Sequence, residues 1–340
     1  MAITGLSHVG LSTPDLPRAI AFYSGALGFS EVVSFSWPAG NDAADAGLGV
    51  VGSAADLTVL NAGNTYLEVM QFHNPLPRRI DDPPTLQREG ITHIGIEVRD
   101  LDEAAEHMLA GGARTLDPAH DASSASSRLL RDPDGNLIEL RVTTSGDSLE
   151  YERLHVRIPL IEDGDDHSGA HIAASRGDTP TRTHVRGISH VGVATVGADP
   201  LRDFYEEAGL TVSSDTSWDL RVSEPVDSTR AVTSAGRALV MSAGNAYLEL
   251  LEYHDVPVLV RPEEARIIEY GFNHLCFDIH DIATTHAHLG TVGMTCFAPW
   301  IQMPGGNASM GYALDPARTP IELLEHRSAA STMWPGHLSI

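Results

Sequence analysis

The sequence contains no lysine: all 22 of its positive side chains are arginine, set against 46 aspartates and glutamates. Without lysine, neither a Schiff base nor a lysine general base is available. The formal net charge of −24 argues against a phosphate backbone as partner and against an anionic membrane surface. Cysteine is nearly absent as well. Cys276 and Cys296 cannot build a multi-bridge framework, which fits a reducing cytoplasm. No apolar run approaches the roughly 18 residues of a membrane span, and no basic-then-apolar leader precedes the first strand, so no secretory signal is expected. Clustered positive charge is also missing, Arg78-Arg79 being the one adjacent pair. An anionic thiol cofactor would want such a cluster. The expected partner is therefore a small, neutral or aromatic oxygenated substrate, with no nucleic acid and no membrane; a homodimer is compatible with all of this.

Repetition is what the chain has in abundance. NAGNTYLEVMQFH (61–73) returns as SAGNAYLELLEYH (242–254), and LSHVGLSTPDLPRAIAFYSGALGFSEV near the start returns as ISHVGVATVGADPLRDFYEEAGLTVSS near residue 188. Weaker copies begin at Ile91 (ITHIGIEVRDLDEAAEHMLAGGARTL) and at Phe272 (FNHLCFDIHDIATTHAHLGTVGMTCF). Each reads as a strand, a turn, a helix with a Gly-containing stop, and further strands ending in TYLEVMQF, LIELRV, AYLELLEY or PIELLEH. The result is a β-α-β-β-β unit written four times. The segment 143–186 is polar and rich in Gly, Ser and Asp, as a linker should be, although LHVRIPLI within it could form a strand. The tail 328–340 reads as loosely attached.

Within the repeat, one histidine and one glutamate recur. The first strand of each unit carries His8, His93, His190 or His274, and the last carries Glu68, Glu139, Glu249 or Glu322. From first to second half the offsets are 190 − 8 = 182, 249 − 68 = 181, 274 − 93 = 181 and 322 − 139 = 183. A single strand histidine is more often a packed core residue than a ligand, but eight residues in matched register have no packing reason to alternate. Strand alternation lets each point to one face. Two imidazoles with two carboxylates form a mixed N/O set suited to Ni, Co, Zn, Mn or Fe as the divalent metal cofactor, with positions left open for substrate.

The SHVG…FY…LGF openings and the D-P-x-x-x-x-I-E endings resemble the vicinal oxygen chelate superfamily, which includes glyoxalase I, epimerases, fosfomycin resistance proteins and type I extradiol dioxygenases. The resemblance spans about residues 5–142 and 187–327. It implies an α+β fold of four βαβββ modules paired into two half-open barrel domains. These would be 1–142 (modules 5–73 and 91–142) and 187–327 (modules 187–254 and 272–327). It allows modules to pair in order or with exchanged partners, so both ligand groupings stay open.

By the same resemblance the protein is a metal-dependent isomerase or lyase of the glyoxalase I or epimerase type. The metal would hold vicinal substrate oxygens and stabilise an enediolate, with Glu139 and Glu322 as bases and Glu68 and Glu249 as their partners. The runner-up is an Fe(II) or Mn(II) extradiol dioxygenase using His190, His274 and Glu322, with Tyr312 against the substrate. A third alternative is a metabolite- or drug-sequestering protein. Tyr66 and Tyr247 share a face with Glu68 and Glu249 and are candidate substrate contacts. His73 and His254 follow where the strands should end, and Cys276 stands where the other units carry Gly10, Gly95 and Gly192. The segments 37–57 and 217–232 read as lids over the sites.

Overall fold

The computed structural model describes residues 3–80, 84–116, 126–142, 185–219, 235–255, 257–262, 266–303 and 308–326. The linker 143–186 up to residue 184, the LHVRIPLI segment within it, most of 217–232 and the tail 328–340 lie outside the described residues. The first module comprises β1 (Ile3–Ser12), α1 (Leu16–Leu27), β2 (Ser30–Trp37), α2 (Asp42–Leu48), β3 (Ala54–Asn61) and β4 (Tyr66–Asn74). The second comprises β5 (Gly90–Val98), α3 (Leu101–Ala110), β6 (Arg114–Thr115), β7 (Ser127–Arg131) and β8 (Leu137–Arg141). The third follows with β9 (Val185–Thr195), α4 (Ala198–Glu207), β10 (Thr211–Asp219), β11 (Ala235–Ser242) and β12 (Tyr247–Tyr253). The fourth is β13 (Gly271–Ile279), α5 (Ile282–Thr291), β14 (Thr295–Cys296), β15 (Ile301–Gln302), β16 (Ala308–Leu314) and β17 (Pro320–His326).

Local chemistry accounts for the helix boundaries. Asp15 caps α1 by accepting from the Arg18 amide, and Gly28 ends it in the left-handed conformation at φ 72°. Asp100 and Asp281 repeat that N-cap for α3 and α5. The buried face of α1 carries Phe22 and Tyr23, that of α4 Phe204 and Tyr205, which is the packing role of the repeated Phe-Tyr pair.

Two mixed sheets result, neither closed into a barrel. One runs β14-β16-β17-β13-β1-β4-β3-β2 with β15 beside β16, the other β10-β11-β12-β9-β5-β8-β7-β6. At the centre of the first, β1 pairs antiparallel with β13; at the centre of the second, β5 pairs with β9. Modules 1 and 4 therefore share a sheet, and modules 2 and 3 share the other. Neither sheet is built from 1–142 alone or from 187–327 alone; of the two module pairings the sequence left open, the sheets show the exchanged one. Main-chain pairing of equivalent first strands carries no residue code for the partner, so nothing local favoured either arrangement.

Consecutive modules meet in the helical layer instead. The Tyr23 hydroxyl donates to Asp132 at 3.0 Å and the Tyr205 hydroxyl to Asp315 at 2.9 Å, joining modules 1 with 2 and 3 with 4. A third link crosses between modules 1 and 3. Asn64 donates to the carbonyls of Ile188 and Asn245 while accepting from the Ile188 amide. Asn245 does the same to Leu6 and Asn64. The repeated AGN thus binds each half to the start of the other's first strand. One large core lies between the helices and the sheets, and two smaller apolar clusters cover the opposite sheet faces.

Two candidate metal centres

Each histidine stands next to a β-bulge. The β1–β13 register skips Ser7 and Asn273, and the β5–β9 register skips Thr92 and Ser189. These are the four residues that immediately precede His8, His274, His93 and His190. A bulged residue leaves the ladder and turns its side chain out of strict alternation. Here that brings a hydroxyl or amide to the Nδ1 edge of the next residue's ring. Asn273 Oδ1 lies 2.8 Å from His274 Nδ1, Thr92 Oγ1 3.0 Å from His93 Nδ1, and Ser189 Oγ 2.9 Å from His190 Nδ1. The Thr92 hydroxyl itself donates to the Gly192 carbonyl at 3.2 Å, so it accepts from the His93 Nδ1–H. That assignment leaves the Nε2 lone pair free, the tautomer a metal ligand requires.

The rings are held from the other side by glycine. A Cβ built on Gly10 would lie 2.0 Å from an atom of the His274 ring, on Gly95 1.9 Å from His190, and on Gly192 1.9 Å from His93. The fourth such position, across from His8, holds Cys276, buried as the sequence suggested.

In the first centre His8 Nε2 and His274 Nε2 are 3.1 Å apart, with Glu322 Oε2 at 3.2 and 3.5 Å from them and Glu68 Oε2 at 3.7 and 3.5 Å. In the second, His93 Nε2 and His190 Nε2 are 3.2 Å apart, and His190 Nε2 lies 3.3 Å from Glu139 Oε2 and 3.6 Å from Glu249 Oε2. All eight residues are buried. The closest sets are His8, His274 and Glu322, and His93, Glu139 and His190. The eight ligand positions read from the sequence thus gather as two groups of four, with partners exchanged between the halves. His190 and His274 fall in different sheets, so the set His190, His274 and Glu322 expected for a dioxygenase does not assemble. The reason is the same strand pairing that exchanged the modules.

These groups fit a divalent cation. Bonds of about 2.0–2.2 Å to one ion place neighbouring ligand atoms about 3.0–3.5 Å apart, close to the separations seen. Glu68 Oε2 and Glu322 Oε2 are buried without a hydrogen-bond partner among the described residues, an expensive state for a carboxylate with no cation. Burial would push the His8 imidazole down, but Glu68 and Glu322 outweigh it and leave it raised. Burial raises the Glu68 carboxyl, with His8 and His274 offsetting part of that. Against burial, His274 and His8 hold Glu322 well below the usual carboxylate range, and His190 and Arg141 do so for Glu139.

Tyr312 pairs directly with Glu322 across β16–β17, and its ring stands edge-on to His274 at 5.3 Å. Burial and then Glu322 push its hydroxyl well above the ordinary tyrosine value, so it stays protonated. Tyr66 and Tyr247 are buried beside His8 and His190 by register. His73 and His254 reach neither centre: both are exposed, against Asp56 and Glu252. The 37–57 segment contains α2, which packs over β15 and β16 of module 4, Gly47 lying close to Ile301 and Met310. Sequence reasoning missed Thr92, Ser189 and Asn273, although a polar residue before each of the four strand histidines was visible in the repeat.

Residues 5–140 match the family described as the Glyoxalase/Bleomycin resistance protein/Dioxygenase superfamily. Among solved structures, glyoxalase I from Zea mays is similar over 94% of this chain and 92% of its own, at 12% identity and a TM-score of 0.59. A candidate dioxygenase from Bacillus subtilis subsp. subtilis str. 168 is similar over 100% of this chain and 92% of its own, at 10% identity and a TM-score of 0.58. At such identities the similarity is one of fold.

Proposed function

We propose that the chain as a whole belongs to the glyoxalase/bleomycin resistance/dioxygenase superfamily, whose family model its residues 5–140 match, and that it is a divalent-metal-dependent isomerase or lyase. It would move a proton between adjacent carbons of a small oxygenated substrate. The observation that carries this reading is the doubled convergence of two imidazole Nε2 atoms with two buried carboxylates. A divalent ion held by His8, Glu68, His274 and Glu322, or by His93, Glu139, His190 and Glu249, would supply Lewis-acid stabilisation of charge developing on substrate oxygen.

The chain's own residues do the remainder. Glu322 in the first centre and Glu139 in the second take the proton from one carbon and return it to the next. Glu68 and Glu249 face them from the other module and complete the anionic shell. Tyr312, protonated and directly across from Glu322, steadies the carboxylate's orientation. Tyr66 and Tyr247 offer aromatic surface to the substrate beside His8 and His190.

The test is elemental analysis of protein purified anaerobically, followed by solvent-deuterium exchange into small α-hydroxycarbonyl compounds read by NMR. About two Ni, Co or Zn ions per chain, with exchange lost in Glu322→Gln combined with Glu139→Gln, is the expected result. Full exchange in that double variant would remove the assignment of bases. A second reading, an Fe(II) or Mn(II) ring-cleaving dioxygenase, is favoured by the tight His8, His274 and Glu322 set with Tyr312 beside it. About one Fe or Mn per chain, lost in air, together with O₂ uptake in the presence of a catechol, would select it.

A further inference from the structure

At the junction of modules 2 and 4, behind Thr92 and so next to the second histidine pair, a pocket is lined by Arg88, Glu89, Thr92, Asn136, Arg261 and Tyr270, among others. We infer that this pocket is a binding site for a small oxyanion, the carboxylate or phosphate group of a ligand, clamped by the Arg261 guanidinium.

Arg261 is only 9% exposed. Its side chain donates to the Arg266 carbonyl at 3.3 Å, and its backbone amide approaches Glu89 Oε2 at 3.4 Å. Among the described residues no carboxylate forms an ion pair with its guanidinium. The nearest candidate, Glu269, is engaged by Arg266 at 3.0 Å and Arg78 at 3.2 Å. Arg88 comes close as a like charge, its guanidinium donating to the Val260 carbonyl at 3.4 Å. Burial lowers the Arg261 pKa to about 10, with Glu269 and Asp315 offsetting part of that and Arg318 and Arg88 adding repulsion, so the group remains a cation at neutral pH. A buried cation that no carboxylate contacts directly among the described residues is costly. A planar guanidinium at a pocket wall meets an oxyanion with parallel N–H donors. Asn136 is a further polar group at the wall. In a chain of net charge −24 a buried arginine at a pocket wall with no ion pair among the described residues needs a reason, and an anionic ligand provides one.

The probes are inorganic phosphate and acetate, titrated by calorimetry and by melting temperature into the full chain at constant ionic strength held with chloride. The expected result is saturable binding of at least one probe at one site per chain. Phosphate binding alone would point to a phosphorylated ligand, acetate binding to a carboxylate. Loss of one charge-assisted contact should weaken binding about tenfold or more in Arg261→Met and severalfold in Arg88→Gln. Arg261→Met should melt no lower than the parent without ligand, because it removes an unpaired buried charge. Arg88→Gln, nearer the surface, keeps the test open if Arg261→Met does not fold. Absence of binding by both probes overturns the inference. So does binding that survives Arg261→Met, or that disappears on metal removal while Arg261 is intact.

Discussion

At the first centre Glu322 stands between Tyr312 on β16 and Cys276 on β13, with Leu324 two residues further along its strand. At the second, Glu139 stands between Leu129 and Gly95, and the residue two further along is Arg141, buried with Nη1 3.9 Å from the Glu139 carboxylate. The two histidines, two glutamates and the bulges recur at both centres; Cys276 replaces one of the four opposing glycines, and the cross-strand neighbours of one glutamate differ. The apolar clusters differ in the same sense. Tyr66, Met70, Phe72 and Tyr312 surround the first centre, while Leu129, Trp218, Leu251 and Tyr253 surround the second. The candidate donor set is thus repeated, while the residues flanking the carboxylate are where the two centres differ.

The largest effect expected from breaking this comparison comes from the glycines. Gly192→Ala would drive a methyl group into the His93 ring and Gly10→Ala one into the His274 ring. Each should empty one centre and halve the metal content measured by elemental analysis, with the far-UV circular dichroism retained. Next comes the carboxylate pair. Glu322→Gln and Glu139→Gln should each keep metal and lower the exchange at one centre by at least about 100-fold. Equal losses from both variants on every substrate would mean that the flanking differences do not divide the work.

A smaller effect sharpens the contrast in charge. Arg141→Leu copies the first centre's Leu324 into the second, and the affinity of the second centre for anionic chelators such as oxalate should fall severalfold. No change there would detach Arg141 from ligand choice. The smallest effect lies in the Tyr–Asp links. Burial raises the Asp315 carboxyl to about 6. Because that is above its unfolded value, its contribution is fully present below about pH 4 and is lost as pH rises through about 6. Asp315→Asn should flatten the stability change across that window, a term on the order of 1–3 kcal/mol, read from urea unfolding at several pH values. An unchanged slope would assign it to other groups.

The four modules, the helix carrying Phe-Tyr and all eight gathered His and Glu residues were legible in the sequence. Each rests on short-range rules: alternation along a strand, an Asp N-cap before a helix, and a spacing repeated to within two residues over half the chain. Cys276 was legible too, as a break in an otherwise regular glycine position. The orienting residues Thr92, Ser189 and Asn273 were harder to see, since alternation places a residue before an inward histidine on the opposite face. Only the bulges, which depend on pairing between distant strands, turn them back. The arginine pocket was not legible at all, because Arg88 and Arg261 approach only through the fold.

By itself, then, the sequence determined the repeating unit and the donor types, because strand periodicity and capping act within a few residues. Tertiary structure alone decided that His8 faces His274 and that His93 faces His190. Those partners are chosen by main-chain ladders between first strands, by the Tyr23–Asp132 and Tyr205–Asp315 bonds, and by the crossed Asn64 and Asn245 amides. Backbone pairing is blind to side-chain identity, so which halves of a site meet is settled by how four equivalent modules close around one another.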